Sequence, residues 1–340
     1  MLPVLSLLLA IPLVGWAQAA EKTETTQSSL TQARVLLQQG KTQDAITLLQ
    51  PMVAAQAPVK GAHHDLGLAY YRTGKLTDAQ REFEAAVAED PADAESVQME
   101  GLTLYRMGQP ARAIPLLERV RNWMPNADAD SNYVLGLCYL NAQRYEDARV
   151  AFAREFGVEA GSASAHLLLS TMLMHADLPE LAGDQARKAL LLDPKIPLAH
   201  FRLGEVALYK SDVEHATEEF VAERALNPSY APTYDRLGDV YTRSGKLQEA
   251  QEALTKAISL DVTSTGPFIQ MGKVLLRRDD AATAAMYLKH AEKMDPSNYI
   301  THTLLAQAYR RAGQDDAAKQ ELDLAAKMHG DSALSIQPLK

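Results

Sequence analysis

Residues 66–91 read LGLAYYRTGKLTDAQREFEAAVAEDP, and residues 236–261 read RLGDVYTRSGKLQEAQEALTKAISLD, with almost the same layout. In the first copy His63, Leu66, Gly67 and Tyr70 are spaced i, i+3, i+4, i+7, which puts them on one helix face. Ala79, Phe83 and Ala86 form a second helical stripe. Between the stripes lies RTGKLT, a short turn around Gly74 suited to a helix end that needs positive φ. Pro91 stops the second stripe, and a residue before proline, here Asp90, is pushed out of the helical region. The stretch therefore predicts a helix hairpin. Gly67 and Ala79 are small where the two axes approach, and Tyr70 and Phe83 fill the space on either side.

The unit recurs with a period of 34 residues. The Gly67 place becomes Gly101, Gly136 (one residue late), Ser170, Gly204, Gly238, Gly272 and Ala306. The alanine that opens the second stripe recurs as Ala79, Ala113, Ala148, Ala182, Ala216, Ala250, Ala284 and Ala318. The large residue after it recurs as Phe83, Leu117, Phe152, Ala186, Phe220, Leu254, Leu288 and Leu322. The closing proline recurs as Pro91, Pro125, Pro194, Pro228 and Pro296. A weaker copy upstream has Ala33, Leu36, Gly40, Ala45 and Leu49.

These residues resemble the tetratricopeptide repeat, whose pattern is a large residue, then Leu-Gly, Tyr, Ala, Phe, Ala and Pro over about 34 positions. The resemblance implies an all-α fold, an α-solenoid of about nine helix-turn-helix hairpins wound into a right-handed superhelix. The copies run 26–59, 60–93, 94–127, 129–162, 163–196, 197–230, 231–264, 265–298 and 299–332. One hairpin cannot bury both faces, so the array is stable only as a stack. The middle joint, EFGVEAGSAS at 155–164, has two glycines and no proline, and the next copy has Ser170 and Ala186. Looser packing or a change of curvature is expected there. Pro51 and Pro115 fall inside second helices, where each removes a backbone donor and favours a kink. Pro110 and Pro179 fall at helix starts, where proline is welcome. The tail 333–340 is too short for a capping helix and is expected to fold over the last stripe, Ala317, Leu324 and Met328.

Composition narrows the function classes. The chain has 340 residues, 47% apolar and 23% charged, with a formal net charge of −9. Such a surface repels phosphate backbones, so nucleic acid is not an expected partner. Cys138 is the single cysteine, which rules out an intrachain disulfide and a Cys-rich zinc site. The N-terminus, MLPVLSLLLAIPLVGWAQAAEK, is apolar over 4–14, and Ala17-Gln18-Ala19 supplies the small-x-small pattern of a signal peptidase site. The reading is an export signal at 1–19 with a mature start near Ala20, a polar leader at 20–25, and a periplasmic or secreted location. The apolar run is short for a membrane span, which needs about 20 residues.

No catalytic set emerges. The chain has no glycine-rich phosphate loop, HExxH or GxSxG. His63 and His64 are adjacent and point about 100° apart on a helix, a poor chelate. His63, His166, His200 and His302 all occupy the large-residue place that begins the first stripe, where they read as packing residues. Asn126, Asp128 and Asp130 have EF-hand spacing, but Ser131 stands where the turn glycine belongs and Leu137 where the bidentate glutamate belongs. Cys138 reads as a small buried apolar residue. No enzyme, cofactor or metal is expected.

Binding remains. In this family the first helix of each hairpin lines the groove, so its residues off the packing stripe are the candidates. In the N-terminal half these are Leu68, Tyr71, Arg72, Leu102, Tyr105, Arg106, Leu137 and Leu140. In the C-terminal half they are Arg243, Lys273, Arg277, Gln307, Arg310 and Arg311. The candidates divide into an apolar, aromatic set early and a basic set late. The expected partner is a protein or peptide with acidic and apolar residues. Two alternatives stay open. The arginines could be generic turn-capping residues, and the chain could be an accessory subunit of an envelope machine handling polysaccharide or exported substrate. The place after Leu-Gly holds Leu68, Leu102, Leu137, Thr171, Glu205, Asp239, Lys273 and Gln307. None is the asparagine that a carboxylate-clamp mode wants.

Overall fold

The computed structural model describes residues 27–55, 59–123 and 129–335. The export-signal and leader readings, and residues 336–340 of the tail, lie outside them. The described residues form helices and turns and include no strand. The chain divides into two compact units between Ala160 and Gly161, inside the glycine-bearing joint singled out above.

The first unit holds α1 (27–38), α2 (Thr42–Val53), α3 (Ala62–Arg72), α4 (Leu76–Glu89), α5 (Ala94–Arg106), α6 (Pro110–Trp123), α7 (Ala129–Asn141) and α8 (Tyr145–Glu155). The second holds α9 (Ala163–His175), α10 (Pro179–Leu192), α11 (Ala199–Tyr209), α12 (Val213–Leu226), α13 (Ala231–Arg243), α14 (Leu247–Leu260), α15 (Thr265–Arg277), α16 (Ala281–Met294), α17 (Tyr299–Arg311) and α18 (Asp315–Ser335). From α3 on, each odd-numbered helix packs on the next to close a hairpin, and consecutive hairpins pack on one another within each unit; α1 and α2 share one core through Leu30, Ala33, Ala45 and Leu49.

The small-against-large register explains the hairpins. A Cβ on Gly67 would come 2.8 Å from the Phe83 ring, and one on Gly136 2.5 Å from the Phe152 ring. In the second unit a Cβ on Gly204 would come 2.6 Å from Phe220, and one on Gly272 2.5 Å from Leu288. Phe83, Phe152, Phe220 and Leu288 are all fully buried. Apolar burial at about 25 cal/mol per Å² drives this packing, and the missing methyl is what lets the ring reach the partner backbone. The α9–α10 hairpin inverts the arrangement. Ser170 adds atoms, Ala186 removes them, and both are fully buried. At that position the two helices exchange side-chain volume, and the Ser170 hydroxyl donates to the Ala182 carbonyl at 2.8 Å.

Every hairpin turns through one left-handed residue at the same place. These are Gly40, Gly74, Gly108, Gln143, Asp177, Ser211, Gly245, Asp279 and Gly313, with φ between 58° and 74°. Only the turn needs this conformation, so glycine is favoured there and not obligatory. Leu198, at the N-cap of α11, is also left-handed with φ 73°, a genuine outlier for a bulky residue. The fully buried carboxylate of Glu223 on α12 holds it there. Glu223 accepts from the Leu198 N–H at 2.9 and 3.0 Å and from the Phe201 N–H at 3.4 Å. A helix N-terminus leaves such donors without intrahelical partners, and a carboxylate meets both the hydrogen-bonding need and the dipole.

Helices α2 and α6 continue across Pro51 and Pro115, while Pro179 begins α10. Helix α18 runs on to Ser335, and Leu324 on its expected covered stripe is 42% exposed.

Candidate binding faces of the first helices

In the first unit, α3, α5 and α7 pack side by side through their hairpins. Leu68, Tyr71, Leu102, Tyr105 and Leu137 are half-buried on them. Leu140 is a correction: it is only 7% exposed and belongs to the core. Leu137, three residues earlier, lies only about 60° away on the helix surface, and that small turn is enough to leave it half-buried while Leu140 is covered. The phenol of Tyr105 is pushed above its ordinary value by burial, with Cys138 and Tyr133 adding to it.

Arg72 and Arg106 are exposed at their helix ends, yet each is spoken for. Arg72 Nη1 donates to the Leu37 carbonyl at 2.7 Å, and Arg106 Nη1 to the Tyr71 carbonyl at 3.3 Å. The Arg106 guanidinium also lies 4.4 Å from the Tyr71 ring centroid. Both arginines therefore reach back one hairpin and add a second bond to a carbonyl of the preceding turn, which already accepts the Gly40 or Gly74 N–H.

In the second unit, α13, α15 and α17 enclose a hollow of about 350 Å³. It is lined by Asp239, Thr242, Arg243, Gln270, Lys273, Leu276, Arg277, Leu304, Gln307 and Arg311. Five of the six C-terminal candidates meet there, and Arg310 is not among the lining residues. Asp239, Thr242, Gln270, Leu276 and Leu304 were missed from sequence. Counting two before, one after, four after and five after the glycine place of each hairpin would have found them.

The hollow carries four cations against one carboxylate, but the cations are not equally available. Arg243 Nη2 lies 2.8 Å from Asp239 Oδ2. Arg277 Nη1 donates to the Thr242 carbonyl at 2.6 Å, and Arg311 Nη1 donates to the Leu276 carbonyl. These repeat the ties of Arg72 and Arg106. Each spends one N–H of a five-donor fork and leaves the rest oriented. The turn-capping alternative thus accounts for one bond of each guanidinium. Beside the hollow, burial pushes the Asp235 carboxyl up, against the pull of Arg236 and Lys273.

The histidines are clasped across their own hairpins, each 19 residues from its partner. His63 Nδ1 meets Glu82 Oε2 at 2.8 Å, His166 Nδ1 meets Gln185 Oε1 at 2.7 Å, and His200 Nδ1 meets Glu219 Oε2 at 2.6 Å. His302 Nδ1 meets Glu321 Oε2 at 2.6 Å. Ser96, His64 and Asp93 lie together, but the fully buried Ser96 hydroxyl donates to Asp93 at 2.5 Å. The His64 contact at 2.8 Å must then be a donation into Ser96, the reverse of a base taking a serine proton. Glu292, His302 and Glu321 offer ligand atoms within 4.8 Å of one another. Lys289 already lies 2.9 Å from Glu292 and 3.7 Å from Glu321, and both ring nitrogens of His302 are engaged, so this group does not suit a cation. Asn126 and Asp128 lie outside the described residues. Cys138 is fully buried, and burial pushes its thiol up to about 12. No described helix is long and apolar enough to cross a membrane.

Three tetratricopeptide-repeat models match residues 30–94, 231–261 and 275–336. The model "Anaphase-promoting complex, cyclosome, subunit 3" matches residues 72–155. Among curated proteins, none matches significantly. Similar solved structures include MamA, at 20% identity and a TM-score of 0.45 over 48% of this chain and 96% of that one. PilF of Pseudomonas aeruginosa aligns at 22% identity and 0.47 over 57% and 88%. YrrB, described as having an unusual peptide-binding site, aligns at 20% identity and 0.46 over 56% and 97%.

Proposed function

Because the chain belongs to the tetratricopeptide-repeat family, whose members are generally protein-interaction scaffolds, we propose that it holds a protein segment against the first-helix face of its second unit, outside the cytoplasm. The hollow between α13, α15 and α17 carries this reading. It joins Lys273 and the free edges of Arg277 and Arg311 to the apolar walls Leu276 and Leu304. The segment it suits has carboxylates beside apolar side chains. Each exposed charge pair contributes about 0–1 kcal/mol, so the apolar contacts must act with several of them. Export rests on the apolar run at 4–14 and on Ala17-Gln18-Ala19.

The test is selection of displayed random peptides on the purified full chain and on Lys273→Glu. Wild-type selection should enrich Asp and Glu next to Leu or Phe, and binding should weaken as salt rises. Selection of the same peptides by Lys273→Glu would remove the hollow as the site. Export is checked by the intact mass of the soluble protein from its native host. A soluble species that still carries residues 2–14 would refute it.

A further inference from the structure

His302 differs from the other clasped histidines in its burial and in having both ring nitrogens at hydrogen-bond distance from acceptors, whereas the second nitrogen of His63 lies 3.8 Å from Glu89. His302 is 2% exposed. Nδ1 is 2.6 Å from Glu321 Oε2 on α18, and Nε2 is 3.0 Å from the Pro296 carbonyl in the turn before α17. A neutral imidazole has one N–H and one lone pair. A carbonyl cannot donate, and a carboxylate accepts only. Both bonds form together only when both nitrogens carry hydrogen, which is the imidazolium. His166, whose partner is the neutral amide of Gln185, needs no such charge.

We propose that the proton on His302 is a structural ligand of the last hairpin, and that its loss frees α17 from α18 and from the Pro296 turn and so dismantles one wall of the hollow. Helix α17 presents His302 to α18, and it also gives Leu304, Gln307 and Arg311 to the hollow. The link to the hollow rests on the binding reading above, and the proton clasp itself does not.

The charges around the ring set the direction. Helix α18 brings Glu321, α16 brings Glu292 and Lys289, and the preceding turn brings Asp295. Helix α15 faces α17 with Lys273 and Arg277 at the hollow. Burial works against the charged ring. The bonds to Glu321 and the Pro296 carbonyl, with the Glu321 and Glu292 charges, outweigh it and raise His302 above its ordinary value. A folded-state value above the unfolded one gives stability that is fully present below about pH 6.5, the unfolded value, and is lost as pH rises through the folded value. Lys289 keeps a counter-charge for Glu321 after the imidazolium is gone, so the hairpin loosens locally. Among the described residues this hairpin has a packed neighbour on one side only, and local opening of such a hairpin has a low cost.

The experiment pairs nitrogen NMR of the imidazole with hydrogen exchange of residues 299–328 at about pH 6 and about pH 9, either side of the ordinary imidazole value. The control is the double variant His302→Phe with Glu321→Tyr. It installs the pair that stands at the same places in the preceding hairpin, where the Phe268 and Tyr287 rings lie 6.3 Å apart. In the wild type both ring nitrogens should carry hydrogen at the lower pH. Exchange in α17 and α18, corrected for its intrinsic pH dependence, should speed up at the higher pH. The variant should show no such change. A ring nitrogen without hydrogen at about pH 6, or an equal response in the variant, would overturn the proposal. Peptide binding is measured on the same samples. An exchange response with unchanged binding keeps the proton clasp and overturns only its link to the hollow.

Discussion

Gly238 sits so close to Leu254 that a Cβ on residue 238 would come 2.5 Å from both Leu254 Cδ2 and Cγ. Leu254 is fully buried and packs with Ala250, Phe268 and Met271, so it has little room to withdraw. One missing methyl on α13 thus sets how closely α14 can approach.

Gly238→Ala should overpack the α13–α14 hairpin and cost about 1–3 kcal/mol in denaturant unfolding. Leu254→Ala in the same chain should restore part of that loss, since Ser170 and Ala186 already coexist in buried form in α9–α10. A double-mutant cycle reads the coupling, expected at about 0.5–3 kcal/mol. Strict additivity of the two changes would contradict the small-against-large account.

Leu198→Gly should stabilise the chain by about 1 kcal/mol, because glycine takes φ 73° without a Cβ clash. Glu223→Gln should do the opposite by about 1–3 kcal/mol. Its amide keeps one acceptor and turns a donor toward the Leu198 and Phe201 N–H groups. Thermal unfolding of both variants checks this, and a stability loss in Leu198→Gly would show that the outlier is not strained.

Among the turn residues, Gln143→Gly should raise stability by about 1 kcal/mol, since Gln143 holds φ 59° with a full side chain. Gly245→Gln should lower it by a similar amount. Equal midpoints for both variants and the wild type would rule out the left-handed turn as a determinant.

The Cys138 thiol, fully buried and pushed up to about 12, should resist alkylation in the native chain at neutral pH and react at once in denaturant. Mass spectrometry after a timed iodoacetamide pulse decides it. Rapid labelling of the folded chain would place Cys138 at the surface.

Arg277→Lys should weaken the tie between consecutive hairpins as well as the hollow, because a lysine cannot donate to the Thr242 carbonyl and keep a planar fork outward. Lys273→Gln, with no such tie, should lower peptide binding and leave the unfolding midpoint nearly unchanged. A drop in the midpoint for Lys273→Gln equal to that for Arg277→Lys would erase the distinction between tie and binder.

Residue spacing was enough to read the hairpins and the glycine-against-large register, while the first-helix origin of the candidate face was implied by the family resemblance. Helical period, a forced small residue at a close approach and a proline stop are all local in sequence, so they leave a visible pattern. Arg243, Lys273, Arg277, Gln307 and Arg311 were legible as a group for the same reason. Their division of labour was not. Arg277 and Arg311 look alike in sequence to a free surface arginine, and the Thr242 and Leu276 carbonyls that engage them belong to the preceding hairpin, 35 residues away. The compensation of Ser170 by Ala186, the Glu223 cap on Leu198 and the doubly bonded ring of His302 were hidden likewise. Each depends on which atoms of a neighbouring helix come within hydrogen-bond or van der Waals reach, a condition that helix packing decides and that no local pattern encodes.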